Sequence, residues 1–253
     1  MNYYVDSHAH LHLCKKNARE LIERAKAIGV LKIVNVATDI ASSKISINLA
    51  SQHIEVLATA GIHPSELTSL DQILELEILL AKNRANLVAI GEIGIDYYHP
   101  NNPSRELQIA GFRAQLELAK HHDLPVIIHT RNAAKDTLMV VKEFPDITKV
   151  FHCFSETPEF INEIANKLTY FSFTGMITYS NKSFILDSVR AVNIHNIMIE
   201  TDCPYLTPTS QGKAQNEPSF LPEIAQKIAA ERALSIEEVA RITTQNAHTF
   251  FRF

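Results

Sequence analysis

Six side chains of metal-binding type stand out in this sequence by their positions. They are His8 and His10 in Asp6-Ser7-His8-Ala9-His10, Glu92 in Val88-Ala89-Ile90-Gly91-Glu92-Ile93-Gly94, His129 in Val126-Ile127-Ile128-His129, His152 after Lys149-Val150-Phe151, and Asp202 after Glu200-Thr201. Residues i and i+2 of an extended chain point to the same side, so His8 and His10 present two imidazoles toward one point. Two converging neutral imidazoles suit a borderline divalent ion. Each residue also has a plainer reading. His8 and His10 fit a surface pair, Glu92 a carboxylate paired with an arginine, His129 and His152 satisfied core histidines, and Asp202 the cap of the turn that follows it. Placement favours the shared reading, because Glu92, His129 and His152 end the fourth, fifth and sixth expected strands and Asp202 follows the eighth. Four histidines, a glutamate and an aspartate exceed what one ion with an open position requires, so two ions are expected. Competing chemistries lack their signatures: G-x-S-x-G, G-x-x-x-x-G-K and H-E-x-x-H are all missing.

The elements that must position these groups are legible as an alternation of short apolar runs with longer amphipathic ones. Strands are predicted over Tyr3 to Ser7, Leu31 to Ala37, Val56 to Gly61, Leu87 to Glu92, Pro125 to His129, Lys149 to His152, Tyr170 to Thr174 and Ile197 to Glu200. Helical stretches run from Ala18 to Ile28, Leu70 to Lys82, Ser104 to His122, Ala134 to Phe144, Pro158 to Lys167 and Lys182 to Val192. Two closing helices are predicted over Leu221 to Ala230 and Ser235 to Phe250, the second opened by Ser235 with Glu238 at capping-box spacing. Eight βα units over 253 residues are about 32 residues each, which predicts an α/β chain folded as a single (β/α)8 TIM barrel, one domain over residues 1–253. An open doubly wound sheet also alternates, but it normally brings a Gly-rich first turn, absent here. In a barrel the strand C-termini share one face, where the metal site is then expected. The long irregular segment from Pro204 to Pro218 opens after the eighth strand, at the end where long loops usually carry function.

Composition bounds the setting. With 46% apolar and 21% charged residues the chain has ample material for a core, which excludes disorder as its main state. No uncharged apolar run approaches the roughly 18 residues of a spanning helix, and Lys15 and Lys16 come before any signal-type segment. A cytoplasmic protein with no membrane partner and no obligate protein partner is expected. Twenty-four basic against 28 acidic side chains give a net charge of −4, so an anionic substrate must be gripped locally. Cys14, Cys153 and Cys203 form neither a C-x-x-C pair nor a disulfide framework, which suits a reducing compartment.

These motifs together resemble the TatD family of metal-dependent hydrolases, within the amidohydrolase-like metal barrels. The blocks are Asp6-Ser7-His8-Ala9-His10-Leu11, Gly61-Ile62-His63-Pro64, Gly91-Glu92-Ile93-Gly94-Ile95-Asp96-Tyr97-Tyr98, Pro125-Val126-Ile127-Ile128-His129-Thr130-Arg131, Phe151-His152-Cys153-Phe154-Ser155 and Glu200-Thr201-Asp202-Cys203-Pro204-Tyr205-Leu206. The resemblance implies that His8, His10 and Asp202 bind one ion, that His129 and His152 bind the other, and that Glu92 bridges both. Asp202 then accepts the proton of the attacking water. His63 and Arg131 are candidates for substrate phosphate, against plainer readings as a turn histidine and a surface ion-pair partner. Glu200 is expected to orient the ligands or the site backbone. The ions are expected to be zinc, magnesium, manganese or cobalt.

The implied activity is hydrolysis of DNA phosphodiester bonds at ends or in single strands, as a 3'-5' exonuclease. A hydrolase of carboxylic esters or amides, such as a D-aminoacyl-tRNA deacylase, is the alternative. A metal-stabilised scaffold is a third class, disfavoured by retention of Asp202. Two stretches depart from the family pattern: Glu156 stands where glycine usually follows His-Cys-Phe-Ser, and Gln211-Gly212-Lys213-Ala214-Gln215 precedes Asn216-Glu217-Pro218 where Arg-Gly-Lys is usual. The first adds a carboxylate near the mouth and the second removes a cation.

Overall fold

The computed structural model of the protein describes residues 3–179 and 182–253. Eight strands form one parallel sheet in chain order: β1 (Tyr4–Ala9), β2 (Val30–Asn35), β3 (Val56–Ala60), β4 (Leu87–Asp96), β5 (Val126–Arg131), β6 (Lys149–Phe151), β7 (Thr169–Phe173) and β8 (Ile197–Ile199). Helices alternate with them: α1 (Ala18–Ala27), α2 (Ile40–Gln52), α3 (Asp71–Asn83), α4 (Arg105–His122), α5 (Ala134–Val141), α6 (Pro158–Ile164) and α7 (Ser183–Ala191). Two more, α8 (Leu221–Arg232) and α9 (Ile236–Phe251), close the chain. This is the (β/α)8 barrel class that the alternation predicted. No helix among the described residues is long and apolar enough to cross a membrane.

By its internal packing the chain divides into two compact units, one of Met1–Asn35, Cys153–Asn162 and Tyr170–Phe253, the other of Val36–His152 and Glu163–Thr169. In the first unit β1 pairs with β2 and β7 with β8, both parallel. The end of β1 is tied to the residues after β8: Asp202 N donates to the His8 carbonyl at 2.9 Å, and His10 N donates to the Cys203 carbonyl at 2.8 Å. All six residues of β1 are buried, as parallel strands covered on both faces must be. Helix α9 opens with the expected capping box, in which Ser235 and Glu238 satisfy each other's backbone N–H.

In the second unit β3, β4, β5 and β6 pair in parallel succession. Ile90, Ile93, Ile95, Val126, Ile127 and Ile128 are buried, as are Phe112 and Leu116 of α4. Helix α2 was not among the named helical stretches. Serines replace the usual apolar stripe on its inner face: Ser42, Ser43 and Ser46 are buried, and Asp39 forms a capping box with Ser42. Helix α6 stops at Ile164 instead of Lys167, where Asn166 turns the chain by accepting from Leu168 N at 2.7 Å, a local bond that competes with helix.

Two bulges fall beside residues of metal-binding type. Between Asp6 and Ala9 the chain advances three residues on β1 against two on β2, and between Ile90 and Ile93 three on β4 against two on β5. Each added residue re-aims side chains, and the two bulges fall at Ser7-His8 and at Gly91-Glu92.

Candidate metal centre

In the first unit, His8 lies within β1 and His10 immediately beyond it, both buried. Their Nε2 atoms are 3.2 Å apart. Asp202, in the left-handed region at φ 56, brings Oδ1 to 3.7 Å from His8 Nε2 and 3.4 Å from His10 Nε2. Sequence reasoning gave no role to Asp6, which holds this arrangement together. Its Oδ1 accepts from Thr201 N at 2.9 Å and from His8 N at 3.3 Å, and its Oδ2 from Thr201 Oγ1 at 2.6 Å. Burial raises the Asp6 carboxyl to about 7 against the lowering effect of those bonds. Asn216 adds a second tie by donating Nδ2 to the Thr201 carbonyl at 2.7 Å. The signals available for Asp6 were its place two residues before His8 and its position at the head of the block Asp6-Ser7-His8-Ala9-His10-Leu11.

Glu200 has both carboxylate oxygens engaged. Its Oε1 accepts from Cys153 N at 2.7 Å, the residue after His152, and its Oε2 accepts from Ser172 Oγ at 2.6 Å. Cys153 has φ 45, so a carboxylate on its amide fixes a backbone conformation that most residues avoid. Cys203 is buried with its Sγ 3.8 Å from that of Cys14, consistent with a packing role.

In the second unit Glu92, His129 and His152 meet. Glu92 Oε1 is 2.6 Å from His152 Nε2 and 2.8 Å from His129 Nδ1, and those two nitrogens are 3.2 Å apart. Burial would raise the Glu92 carboxyl, but His152, His63 and His129 outweigh it and hold it well below the usual range. Glu92 does not end β4, as the sequence suggested, and His129 does not end β5. The strands continue to Asp96 and Arg131, pairing Gly94 with His129 and Asp96 with Arg131. The bulge at Gly91-Glu92 lets an interior strand position present a side chain of metal-binding type.

His63 places Nε2 3.7 Å from Glu92 Oε1, with its ring edge-on to His129 at a centroid distance of 4.5 Å. Its Nδ1 accepts from Ser65 N at 3.1 Å, so a neutral His63 carries its hydrogen on Nε2. Burial and the neighbouring His129 lower this imidazole to about 3. Arg131 is exposed, with its guanidinium carbon 3.6 Å from the centroid of the Tyr98 ring, a cation–π stack at the end of β5. Asp96, a site residue that sequence reasoning passed over, places Oδ2 3.1 Å from His129 Nε2.

Donor chemistry tests whether these groups fit metal. Ligand nitrogens at about 2.0–2.1 Å from a tetrahedral ion lie roughly 3.3 Å apart. The His8–His10 and His129–His152 nitrogen pairs are both at 3.2 Å. Each pair carries a carboxylate oxygen beside it, so each cluster supplies three donors of mixed nitrogen and oxygen type. Glu92, His129 and His152 also form one of the groups able to hold an ion by mutual distance. The residues fit.

Comparison with known proteins agrees. The family described as TatD related DNase matches residues 5–252. The Bacillus subtilis (strain 168) protein named uncharacterized metal-dependent hydrolase YabD is 34% identical over 251 residues, covering 98% of both chains. The Mycobacterium tuberculosis (strain ATCC 25618 / H37Rv) protein named uncharacterized metal-dependent hydrolase TatD is 34% identical over 255 residues, covering 96% of both. Among solved structures, the TatD homologue YjjV of Escherichia coli K12 superposes with a TM-score of 0.92 at 27% identity, over 99% of this chain and 98% of that one. With the two metal-type clusters, the strand order and a match that runs nearly from end to end, this chain belongs to the TatD family of metal-dependent hydrolases.

Proposed function

We propose that the protein is a cytoplasmic deoxyribonuclease that hydrolyses DNA phosphodiester bonds as a 3'-5' exonuclease; His8, His10 and Asp202 would hold one divalent ion, and Glu92, His129 and His152 would hold a second. The observation that supports this reading is that each unit holds two imidazole nitrogens 3.2 Å apart with a carboxylate beside them: His8 and His10 with Asp202 in one, His129 and His152 with Glu92 in the other. When bound, such ions would lower the pKa of a water and stabilise charge on the phosphoryl oxygens. The protein's own groups do the rest. Asp202 takes the proton of the attacking water, His63 donates Nε2–H to a non-bridging phosphate oxygen, and the exposed Arg131 fork meets a phosphate further along the strand. Glu200 keeps the backbone beside His152 in place.

Hydrolysis of carboxylic esters or amides, including D-aminoacyl-tRNA, is the second reading, favoured by the net charge of −4. One experiment separates the two. Metal-loaded protein is incubated in parallel with end-labelled single-stranded DNA, aryl esters and D-aminoacyl-tRNA. Shortening of the DNA from its 3' end, abolished by chelator and restored by zinc, manganese, magnesium or cobalt, is the expected result. Turnover of the ester class alone overturns the nuclease reading. Elemental analysis gives an independent check: two ions per wild-type chain, and loss of metal together with activity in Glu92→Ala.

A further inference from the structure

We propose that Asp96 is a positioning residue for His129: its buried carboxylate accepts the Nε2–H of the imidazole and so directs the Nδ1 lone pair toward Glu92 and His152. The inference deepens the metal reading above and rests on it. An imidazole that ligates metal must offer a lone pair from one nitrogen, and its hydrogen then belongs to the other. For His129 the two nitrogens face different neighbours, and an ion beside Glu92 and His152 would take the lone pair of the one that faces them. Nδ1 faces Glu92 Oε1 at 2.8 Å and His152 Nε2 at 3.2 Å, while Nε2 faces only Asp96 Oδ2, at 3.1 Å, among the partners seen for that atom.

Asp96 is itself held on every side. It is the last residue of β4 and 3% exposed. Its second oxygen, Oδ1, accepts from Tyr98 N at 2.7 Å. Its backbone N donates to Gln108 Oε1 at 2.8 Å, and its carbonyl accepts from Gln108 Nε2 and Asn102 Nδ2, each at 3.0 Å. Gln108 is a buried amide on α4 with both ends committed to Asp96 and its neighbourhood, since Nε2 also reaches the Pro103 carbonyl at 2.8 Å. With its backbone pinned by Gln108 and Asn102 and its Oδ1 held by Tyr98 N, the carboxylate cannot follow a wandering ring, so it sets the ring's direction. Outer carboxylates of this kind orient histidine ligands and raise their basicity, and their loss typically weakens metal binding by about ten- to a hundred-fold.

The test uses Asp96→Asn and Asp96→Ala in the full chain. In Asp96→Asn the carbonyl oxygen stays on Tyr98 N, the amide turns its NH2 toward His129 Nε2, and the hydrogen of a neutral ring is driven to Nδ1. Competition with a chromophoric chelator for zinc should then show one ion weakened about ten- to a hundred-fold and the other, at His8-His10-Asp202, unchanged, with far-UV circular dichroism intact. A merely structural Asp96 would weaken both ions. In a His129→Ala background, adding Asp96→Asn should change zinc affinity less than about twofold, because the route of its effect is gone. Nitrogen-15 NMR of zinc-loaded wild type should show His129 protonated at Nε2, a signal lost in Asp96→Asn. Wild-type affinity for both ions in both variants, an undiminished effect in the His129→Ala background, or an Nε2 without hydrogen in the wild type each overturns the proposal. The last needs no variant to fold. Uptake of no ion by the wild-type Glu92-His129-His152 set would instead overturn the metal reading on which this one stands.

Discussion

Gly94 lies opposite His129 in the β4–β5 register with no room for a side chain between them, since a Cβ on Gly94 would sit 2.0 Å from the His129 carbonyl oxygen. Its φ of 141° is also one that L side chains rarely adopt. Substitution therefore fails on space and on backbone conformation at once, and it fails at the residue that pairs with His129. Gly94→Ala is expected to cost about 2–4 kcal/mol of stability and to weaken the ion at the Glu92-His129-His152 set. Urea denaturation and zinc titration measure the two effects. A variant with an unshifted midpoint would show that β4 can move aside, contrary to the packing described.

Asp202→Asn separates proton transfer from folding. The backbone just before Asp202 is held by bonds that do not involve its side chain: Thr201 N donates to Asp6 Oδ1, and Asn216 Nδ2 donates to the Thr201 carbonyl. The amide keeps the shape but loses the base and the negative charge offered to an ion. A fall in kcat of about a hundred- to ten-thousand-fold is expected, with the thermal midpoint within a few degrees of wild type. Activity near the wild-type level would remove Asp202 from the proton path.

His63→Ala should behave differently from loss of a ligand. Ser65 N fixes the tautomer by donating to Nδ1, so Nε2–H is a donor and has no lone pair for a metal. Both ions should remain by elemental analysis, while kcat/KM falls about ten- to a thousand-fold as a donor to charged oxygen is lost. Departure of an ion in this variant would recast His63 as a ligand.

How far the sequence carried is clearest at β4 and β5. Alternation of apolar runs and helices located all eight strands, and the six metal-type residues were identifiable because they sit at or near strand C-termini. Residue type alone could not locate the bulge at Gly91-Glu92, because a bulge is a property of the pairing between β4 and β5 and leaves no period in either strand. Glu92 was therefore placed at a strand end when it lies inside one. Asp6 and Asp96 were invisible for a related reason. Each acts by holding another group, Thr201 and His129 respectively, and such partners lie 195 and 33 residues away. Helix α2 was obscured by its serines, whose buried hydroxyls satisfy backbone groups nearby where an apolar stripe would ordinarily mark the inner face.

Lys149, the first residue of β6, is 1% exposed and carries a charge that the fold does not welcome. Burial pulls its ammonium down to about 8, against an opposing attraction from Asp146. The unfolded chain holds this proton up to about 10.4. Between these values the unfolded state binds more protons than the folded one, so the Lys149 contribution makes the protein more stable as pH rises from about 8 to about 10 and is a constant penalty below that window. Lys149→Met keeps the length of the stem and removes the charge. It is expected to stabilise the protein at pH 7 by about 1–3 kcal/mol and to erase that alkaline gain, so the difference between variant and wild type shrinks as pH passes 8. Urea midpoints at pH 7 and pH 9.5 measure both. Equal destabilisation of the variant at the two values would mean that the ammonium is satisfied where it lies and that the stem alone accounts for its burial.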